Sequence, residues 1–387
     1  MALIAFVYLR SPGSTMDMAK VLSFTIIPVF LIGPVAGVYV DRWDRRRTMY
    51  ACDLLRAVLV FTIPFFLFYY KSIVPIYIII FFVFSIGRFF VPAKLSIVPD
   101  LVDKKDLLVA NSLVNITGMI AAVLGFGISG VLVEWVGPRS GFYLNALSFL
   151  VSGILIFSIT KKFNSKVLDL KELGREIVES IRKSVFQEIK DGVLYFIRKK
   201  EIRLTASIMF ILWAALGAVY VVMIVFVQNI LNSATKDLGL LVMFLGIGLF
   251  TGSVLYGRFG QRLSHYKIIF SSLALSGLML IIFALTLIYY PYFFSAASLA
   301  FILGNTIAPI MIASNTIIHK ASDNEMMGKV FSSLEIVMHL GFLLFMFISS
   351  LLAERFSHLS ILIAVGCIFG VVGVANIIAN RKIPWLN

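Results

Sequence analysis

Residues 33–47 read GPVAGVYVDRWDRRR, an apolar run that meets a cluster of charges directly. The first eight residues are small or apolar, and the last seven include four arginines and two aspartates. Hydrocarbon accepts the first part, whereas charged side chains at the bilayer centre are costly. The stretch therefore predicts the end of a membrane span, and its arginines predict that this end faces the cytoplasm.

Composition extends this interpretation to the whole chain. Its 387 residues are 60% hydrophobic and 14% charged, and the mean hydropathy is +0.98, as in an all-α polytopic membrane protein. The formal net charge of +14 does not indicate a nucleic-acid partner, because the basic residues stand at the ends of apolar runs. Cys52 and Cys367 lie inside apolar runs, so no disulfide is expected.

Charged and turn residues divide the chain into full-length spans, with a short apolar segment before them. The full spans cover residues 19–40, 48–70, 76–98, 108–133, 142–160, 204–227, 238–256, 268–289, 293–318, 330–352 and 361–380. Residues 2–9, numbered here as span 1, rise only ~12 Å as a helix against a hydrocarbon core of about 30 Å. We therefore expect span 1 to be largely missing, with a lateral opening on the cytoplasmic side. A signal peptide is disfavoured, since the segment has no basic start and no small-residue cleavage site.

Basic residues also predict the orientation and the domains. Loops on the side of the arginine cluster carry roughly four times as many Lys and Arg as the opposite loops, so we expect a cell-membrane protein with a cytoplasmic C-terminus. The polar segment 161–203 separates a six-span half, 1–160, from a second six-span half, 204–387. Apolar residues recur every four positions in that segment, which predicts an amphipathic linker on the inner leaflet or, alternatively, a partner-binding helix.

Small residues indicate that the two halves are repeats. Gly33, Gly37, Gly87 and Pro92 of the first half match Gly248, Gly252, Gly304 and Pro309 of the second at a nearly constant offset. Parallel six-span repeats are typical of one transporter architecture.

The chain resembles the major facilitator superfamily, in the branch of macrolide-efflux-like proteins and transmembrane secretion effectors. The family signature between spans 2 and 3 is matched by Gly37, Asp41, Arg42, Arg45 and Arg46, and the branch pattern continues with Asp53 and Arg56. The resemblance implies the major facilitator fold and a secondary transporter. It also implies that Asp41 holds the inner gate closed by accepting hydrogen bonds from the start of span 11.

Two sets of small residues predict close helix packing. Gly33 and Gly37 lie four apart, as do Ala121, Gly125 and Ser129 in span 5. The span 5 set belongs to GMIAAVLGFGISG, which resembles the antiporter motif of the family with Phe126 in the position of a proline. Glu134, at the outer end of this span, is interpreted as a residue at the water interface.

Ionisable and aromatic residues inside spans are the candidates for function. Arg88, with Asn305 as its repeat partner, is predicted either to handle substrate or coupling ion or to form a structural pair. Glu335 and His339 share a helix face and either exchange a proton or make a structural hydrogen bond. Asp53 and Arg56 are expected to pair with the basic loop. Trp213 and Tyr220 are candidates for lining a cavity.

The expected function is export of a hydrophobic or amphipathic, macrolide-like small molecule by proton antiport and alternating access. No phosphate-binding loop, metalloprotease motif or histidine cluster is present in the sequence, so we expect no enzyme activity, cofactor or metal. The partners would be a small-molecule substrate, a coupling proton and the lipid bilayer, around a monomer. A siderophore or lysophospholipid transporter is an alternative, and a transport-inactive interaction protein lacking span 1 is an alternative of another class.

The gate assignment predicts the behaviour of one variant. Asp41→Asn should reduce export severalfold while the protein still inserts, because the gate carboxylate is lost and the arginines that set topology remain. Efflux is to be compared with wild type at equal membrane abundance. Normal efflux by the variant would exclude Asp41 from the gate.

Overall fold

A computed structural model describes residues 1–33, 36, 43–69, 73–159, 194, 200–260, 264–322 and 327–379. In these residues the chain is helical throughout, apart from short turns. The α-helices are α1 (Ala2–Arg10), α2 (Thr15–Leu31), α3 (Arg45–Tyr69), α4 (Val74–Leu101), α5 (Leu107–Phe157), α6 (Lys200–Leu231), α7 (Lys236–Phe259), α8 (His265–Tyr289), α9 (Phe293–Ala321), α10 (Met327–Ala353) and α11 (His358–Ala379). The predicted all-α membrane fold is confirmed.

Helix length and composition agree with the predicted spans. Among the described residues, 9 helices are long and apolar enough to cross a membrane. One of them, α5, has 51 residues and is long enough for two crossings. Helix α2 has 17 residues, and residues 34, 35 and 37–40 at the end of its predicted span lie outside the described residues. The predicted linker 161–203 lies outside the described residues except for 194 and 200–203.

A sharp bend divides α5 into a first arm, 107–136, and a second arm, 138–157. Gly137 has φ 79° and ψ 162° inside the helix. Only glycine adopts such a positive φ without strain, and Pro138 disfavours helical backbone in the residue before it. The chain therefore turns here within one residue rather than through the loop predicted between residues 133 and 142.

Helix pairs within the two halves repeat one pattern. In the first half α2 packs on α4, and α3 packs on α5; in the second half α7 packs on α9, and α8 packs on α11. The contacts of α3 with α5 involve the second arm, since Ser152 and Gly153 lie against Asp53. Corresponding helices thus have corresponding neighbours, as expected of a parallel repeat.

Contacts between described helices join the halves. The first arm of α5 packs on α7, and α2 packs on α10 and also on α6. We call the end of the bundle where Arg45 pairs with Asp100 the arginine end. The opposite end is where Glu134 of α5 meets Thr235, just before α7, and where Thr15 of α2 donates a hydrogen bond to the carbonyl of Ser350 of α10 at 3.1 Å. Both of these polar contacts between halves lie at the opposite end.

The arginine-end portion of the first arm is exposed. None of residues 105–126 is buried, and Leu108 is 79% exposed. The short helix α1 packs on α5 elsewhere, where Ala2 lies 3.1 Å from the position that a Cβ of Gly141 would take. In a bilayer the apolar side chains of the first arm would face lipid or the space between the halves.

Glycines bring α7 and α9 into backbone contact. A Cβ at Gly248 would collide with the carbonyl oxygen of Phe301, and one at Gly252 would lie 2.8 Å from the Cα of Asn305. From the other side, a Cβ at Gly304 would lie 2.7 Å from the backbone nitrogen of Leu249. Such close approach maximises van der Waals contact between helices in lipid.

The small-residue ridge of α5 lies on a different face from the predicted one. A Cβ at Gly125 would meet no atom within 4 Å, Ala121 is exposed, and Ser129 is only half-buried. Contact with α7 instead involves Gly127, which faces Met243, and Gly130, which faces Gly239. The predicted ridge is therefore wrong for this contact. Met243 and Gly239 of α7 pack against Gly127 and Gly130, which lie on a neighbouring face of α5.

This packing predicts that one Gly→Ala variant lowers the melting temperature and that a second, used as a control, leaves it nearly unchanged. Gly248→Ala should lower the apparent melting temperature by several degrees, because overpacking a tight contact costs about 1–3 kcal/mol. Gly370→Ala in α11 is the matched control, since its Cβ would meet no atom within 4 Å. Thermal unfolding of both purified variants in detergent measures the difference. Equal melting temperatures would show that α7 and α9 separate without cost.

Candidate functional site

Aromatic side chains from both halves meet between α2, α6 and α10. The ring of His339 lies 4.8 Å from Trp213 and 6.1 Å from Phe30, between ring centroids. Phe342 lies 6.2 Å from Trp213 and 5.5 Å from Tyr220. We call these five residues the aromatic cluster. The two aromatic residues predicted to line a cavity, Trp213 and Tyr220, are thereby joined through Phe342.

Arg88 and Glu335 bring opposite charges of the two halves near each other. Arg88 lies in the middle of α4 and is half-buried, and Glu335 of α10 is close enough for its charge to act on the guanidinium. No direct ion pair joins these two described residues. An exposed carboxylate of one half and a half-buried guanidinium of the other thus lie within electrostatic range of each other.

His339 makes its hydrogen bond to the backbone of its own helix. Its Nδ1 donates to the carbonyl oxygen of Glu335 at 2.8 Å, so the bond does not involve the Glu335 carboxylate. With Nδ1 occupied, Nε2 is the ring nitrogen left for another partner. The sequence left two alternatives, proton exchange or a structural hydrogen bond between the two side chains. The structure has a hydrogen bond from His339 to the backbone of Glu335, and proton exchange stays a prediction.

Trp213 carries a donor without a partner. Its indole Nε1 is buried and has no hydrogen-bond acceptor among the described residues. Buried polar groups are normally satisfied, so an orphaned donor beside the aromatic cluster calls for an explanation.

Asn305 lies at a different contact. Its Oδ1 accepts a hydrogen bond from Thr251 of α7 at 3.1 Å, and its Nδ2 donates to the carbonyl of Phe301 at 3.1 Å. Asn305 therefore secures α9 to α7 beside Gly252, whereas its repeat counterpart Arg88 interacts electrostatically with Glu335 of the other half.

Two arginines of the family signature secure the first half at its arginine end. Arg45 donates to the carbonyl of Ser96 at 2.9 Å and pairs with Asp100 at 2.5 Å, both in α4. Arg46 donates to the carbonyls of Ile156 and Phe157, at the end of α5. Cations at a helix C-terminus donate hydrogen bonds to its free carbonyl groups and interact favourably with the negative end of its dipole. These side chains hold α3, α4 and α5 together.

A buried ion pair lies one turn deeper. Arg56 pairs with Asp53, whose other oxygen accepts a hydrogen bond from Ser152 at 2.6 Å. The guanidinium of Arg56 also stacks over Phe90 and Phe149, at 4.8 Å and 4.5 Å from the ring centroids. The partner of Asp53 is therefore Arg56, and not the basic loop expected from the sequence.

The remaining gate residues have little structural description. Gly37, Asp41 and Arg42 lie outside the described residues. Gly33 is half-buried, and a Cβ there would meet no atom within 4 Å. In the described part of the chain, no group of three or more His, Cys, Asp or Glu side chains is placed to hold a metal ion.

Sequence reasoning expected Glu134 at the water interface and missed its hydrogen-bond partners in the other half. Its carboxylate accepts backbone hydrogen bonds at the start of α7, in the other half of the molecule, including one of 2.7 Å from Thr235. A sequence signal was available in Ser233, Thr235 and Asp237, since hydroxyl and acidic residues mark a helix start. That signal locates the helix start but does not name an acceptor about one hundred residues away.

Parallel repeats that contact each other through α2 and α5, with charged and aromatic residues between them, define a helical membrane carrier. The family model of the Major Facilitator Superfamily matches residues 2–334 and 205–384. The protein belongs to this family.

Relatives agree with this assignment. The uncharacterized MFS-type transporter YkuC of Bacillus subtilis (strain 168) is 25% identical, over 79% of this chain and 69% of its own. Macrolide efflux protein A of Streptococcus pyogenes is 25% identical, over 91% of this chain and 84% of its own. The crystal structure of a peptide transporter POT variant matches with a TM-score of 0.73 at 12% identity, over 99% of this chain and 91% of its own. At that identity the likeness shows the fold alone.

The buried ion pair generates a stability prediction. Asp53→Asn should destabilise the protein by about 3–5 kcal/mol, because it leaves the Arg56 charge buried without its counter-ion. Adding Arg56→Gln should recover most of the loss. Lys20→Gln is the control: the Lys20–Asp17 pair has side chains 50% and 40% exposed, so its loss should cost less than ~1 kcal/mol. Thermal unfolding measures all three, and a stable Asp53→Asn variant would contradict the assignment.

Proposed function

We propose that the protein is a secondary active transporter that exports a hydrophobic or amphipathic small molecule, of macrolide-like character, across the plasma membrane. The proposed orientation has the arginine end in the cytoplasm, as the distribution of basic residues favours. Rocking of one half against the other would expose the central region alternately to the two sides. The 25% identity to a macrolide efflux protein supports the direction of transport and the chemical class.

The observation that carries the proposal is the aromatic cluster, with Glu335 one helical turn from His339 and Arg88 within electrostatic range of Glu335. Aromatic faces bind apolar rings and cations, as a binding region for amphipathic molecules requires. The unpartnered Nε1 of Trp213 offers one directional hydrogen bond to an acceptor on the substrate. Because Phe30 comes from one half and Trp213 from the other, a molecule held here would contact both halves.

Glu335 and Arg88 are the proposed coupling groups. Protonation of Glu335 would remove the negative charge that acts on Arg88, so the two protonation states would hold the halves with different energies. A group whose charge state biases two conformations is what proton antiport requires. His339, with Nε2 available and its ring in the aromatic cluster, is the proposed second proton-handling group.

Efflux measured in cells tests the function directly. Cells with and without the protein are loaded with fluorescent dyes and macrolide, tetracycline and fluoroquinolone antibiotics, and accumulation is followed before and after a protonophore. Export predicts lower accumulation in expressing cells and loss of the difference when the gradient collapses. Equal accumulation for every compound would contradict export of this class, and a difference that survives the protonophore would contradict proton coupling.

Arg88 is expected to matter far more than a surface arginine. Arg88→Ala should reduce efflux at least tenfold, because it removes the only positive partner proposed for Glu335. Arg139→Ala, in an exposed position near the bend of α5, serves as the control and should retain nearly full efflux. Initial efflux rates at matched membrane abundance give the comparison. Mild and equal losses would assign Arg88 a structural role.

A further inference from the structure

One carboxylate of the first half accepts the backbone amides at the start of a helix of the second half. Glu134 Oε2 accepts hydrogen bonds from the amides of Thr235 at 2.7 Å and Lys236 at 3.3 Å, and Oε1 accepts one from Ala234 at 3.3 Å. Oε2 also accepts the hydroxyl of Thr235 at 3.3 Å. The contact therefore consists of three backbone hydrogen bonds from one short segment and a longer one from the Thr235 hydroxyl, whose single proton is shared with the carbonyl of Gly130.

This arrangement completes the hydrogen bonding at the start of α7. The first amides of a helix have no acceptor within the helix and need one from elsewhere. Ser233 accepts the amide of Asp237 at 3.1 Å, and the three preceding amides depend on Glu134. A negative charge at this position also interacts favourably with the helix dipole. The start of α7 is thus satisfied only in part by its own half.

Beneath the carboxylate, the two backbones are in contact. Thr235 is fully buried, and its hydroxyl donates to the carbonyl of Gly130 at 2.9 Å. A Cβ on Gly130 would lie 2.9 Å from the Cα of Gly239. Glu134 itself is exposed, so water can replace its partners when the halves separate. The contact thus combines close backbone packing with a carboxylate that water can reach.

We propose that Glu134 is a latch that holds the opposite end of the transporter closed and releases α7 when that end opens. This inference rests on the proposed alternating access, in which the substrate leaves through the opposite end. Loss of the latch should favour the conformation open at that end. Glu134 acts as a positioning residue for the halves and need not contact the substrate.

Distances between spin labels test the latch without any substrate. Labels are attached to Leu9→Cys and Tyr290→Cys, exposed positions of the two halves at the opposite end, in a background of Cys52→Ala and Cys367→Ala. Double electron–electron resonance is recorded for the labelled protein and for its Glu134→Gln and Glu354→Gln variants in lipid nanodiscs. Glu354 is an exposed carboxylate just after α10 at the same end, so its variant controls for loss of charge.

Glu134→Gln should raise the ratio of long to short distances about tenfold, the effect of roughly 1.4 kcal/mol, while Glu354→Gln stays within about twofold of the parent. An unchanged ratio in Glu134→Gln, or equal shifts in both variants, would overturn the latch. If Glu134→Gln is poorly folded, Thr235→Val, which removes the hydroxyl donor, replaces it with the same expected direction and the same overturning result. Efflux by the wild type is measured separately, so a failed proposed function is distinguishable from a failed latch.

Discussion

Helices in a bilayer gain little hydrophobic energy by associating, because lipid is as apolar as the side chains that they bury. Packing must instead come from close backbone approach and from polar groups that find partners inside the protein. Gly248 and Gly252 satisfy the first requirement within the second half, where α9 fits against the bare strip of α7. Gly130 and Gly239 do the same between the halves. The arrangement of the molecule depends on where these bare strips face one another.

Charged side chains in the first half obey the same constraint. Asp53 and Arg56 neutralise each other in the interior, and Ser152 satisfies the second carboxylate oxygen. Arg45 and Arg46 satisfy carbonyl groups near the ends of α4 and α5. Several residues of the family signature thus bind helices of one half to each other. A half secured in this way can move as a unit, which rocking between two conformations requires.

Hydropathy and length were sufficient to predict the spans, since every full crossing needs about twenty apolar residues. The family was predicted from signature residues such as Arg45, Arg46 and Asp53. The packing faces were not predictable in the same way. Ala121, Gly125 and Ser129 form one row of small residues on the helix, and Gly127 and Gly130 form another. Which row packs against the second half depends on Met243 and Gly239 of α7. Partners far apart in sequence escaped for the same reason: nothing local links Glu134 to Thr235. Arg88 and Glu335 were each identified from the sequence, because charges inside apolar runs are unusual. That they interact with each other could be seen only in the folded structure.

Each end of the molecule has the start of a helix of the second half, and the first half has a carboxylate that can be placed against each of these starts. α7 begins at the opposite end and α10 begins at the arginine end, so the positive ends of their dipoles point to opposite sides. Glu134 of the first half meets the start of α7. Asp41, outside the described residues, is expected from the family resemblance to meet the start of α10 in the same manner. Rocking that opens one end closes the other, so one helix start would gain its carboxylate as the other loses it. Two similar contacts exchanged in this way would keep the two proposed conformations close in energy, so that binding of the proposed substrate or proton would determine which one is populated.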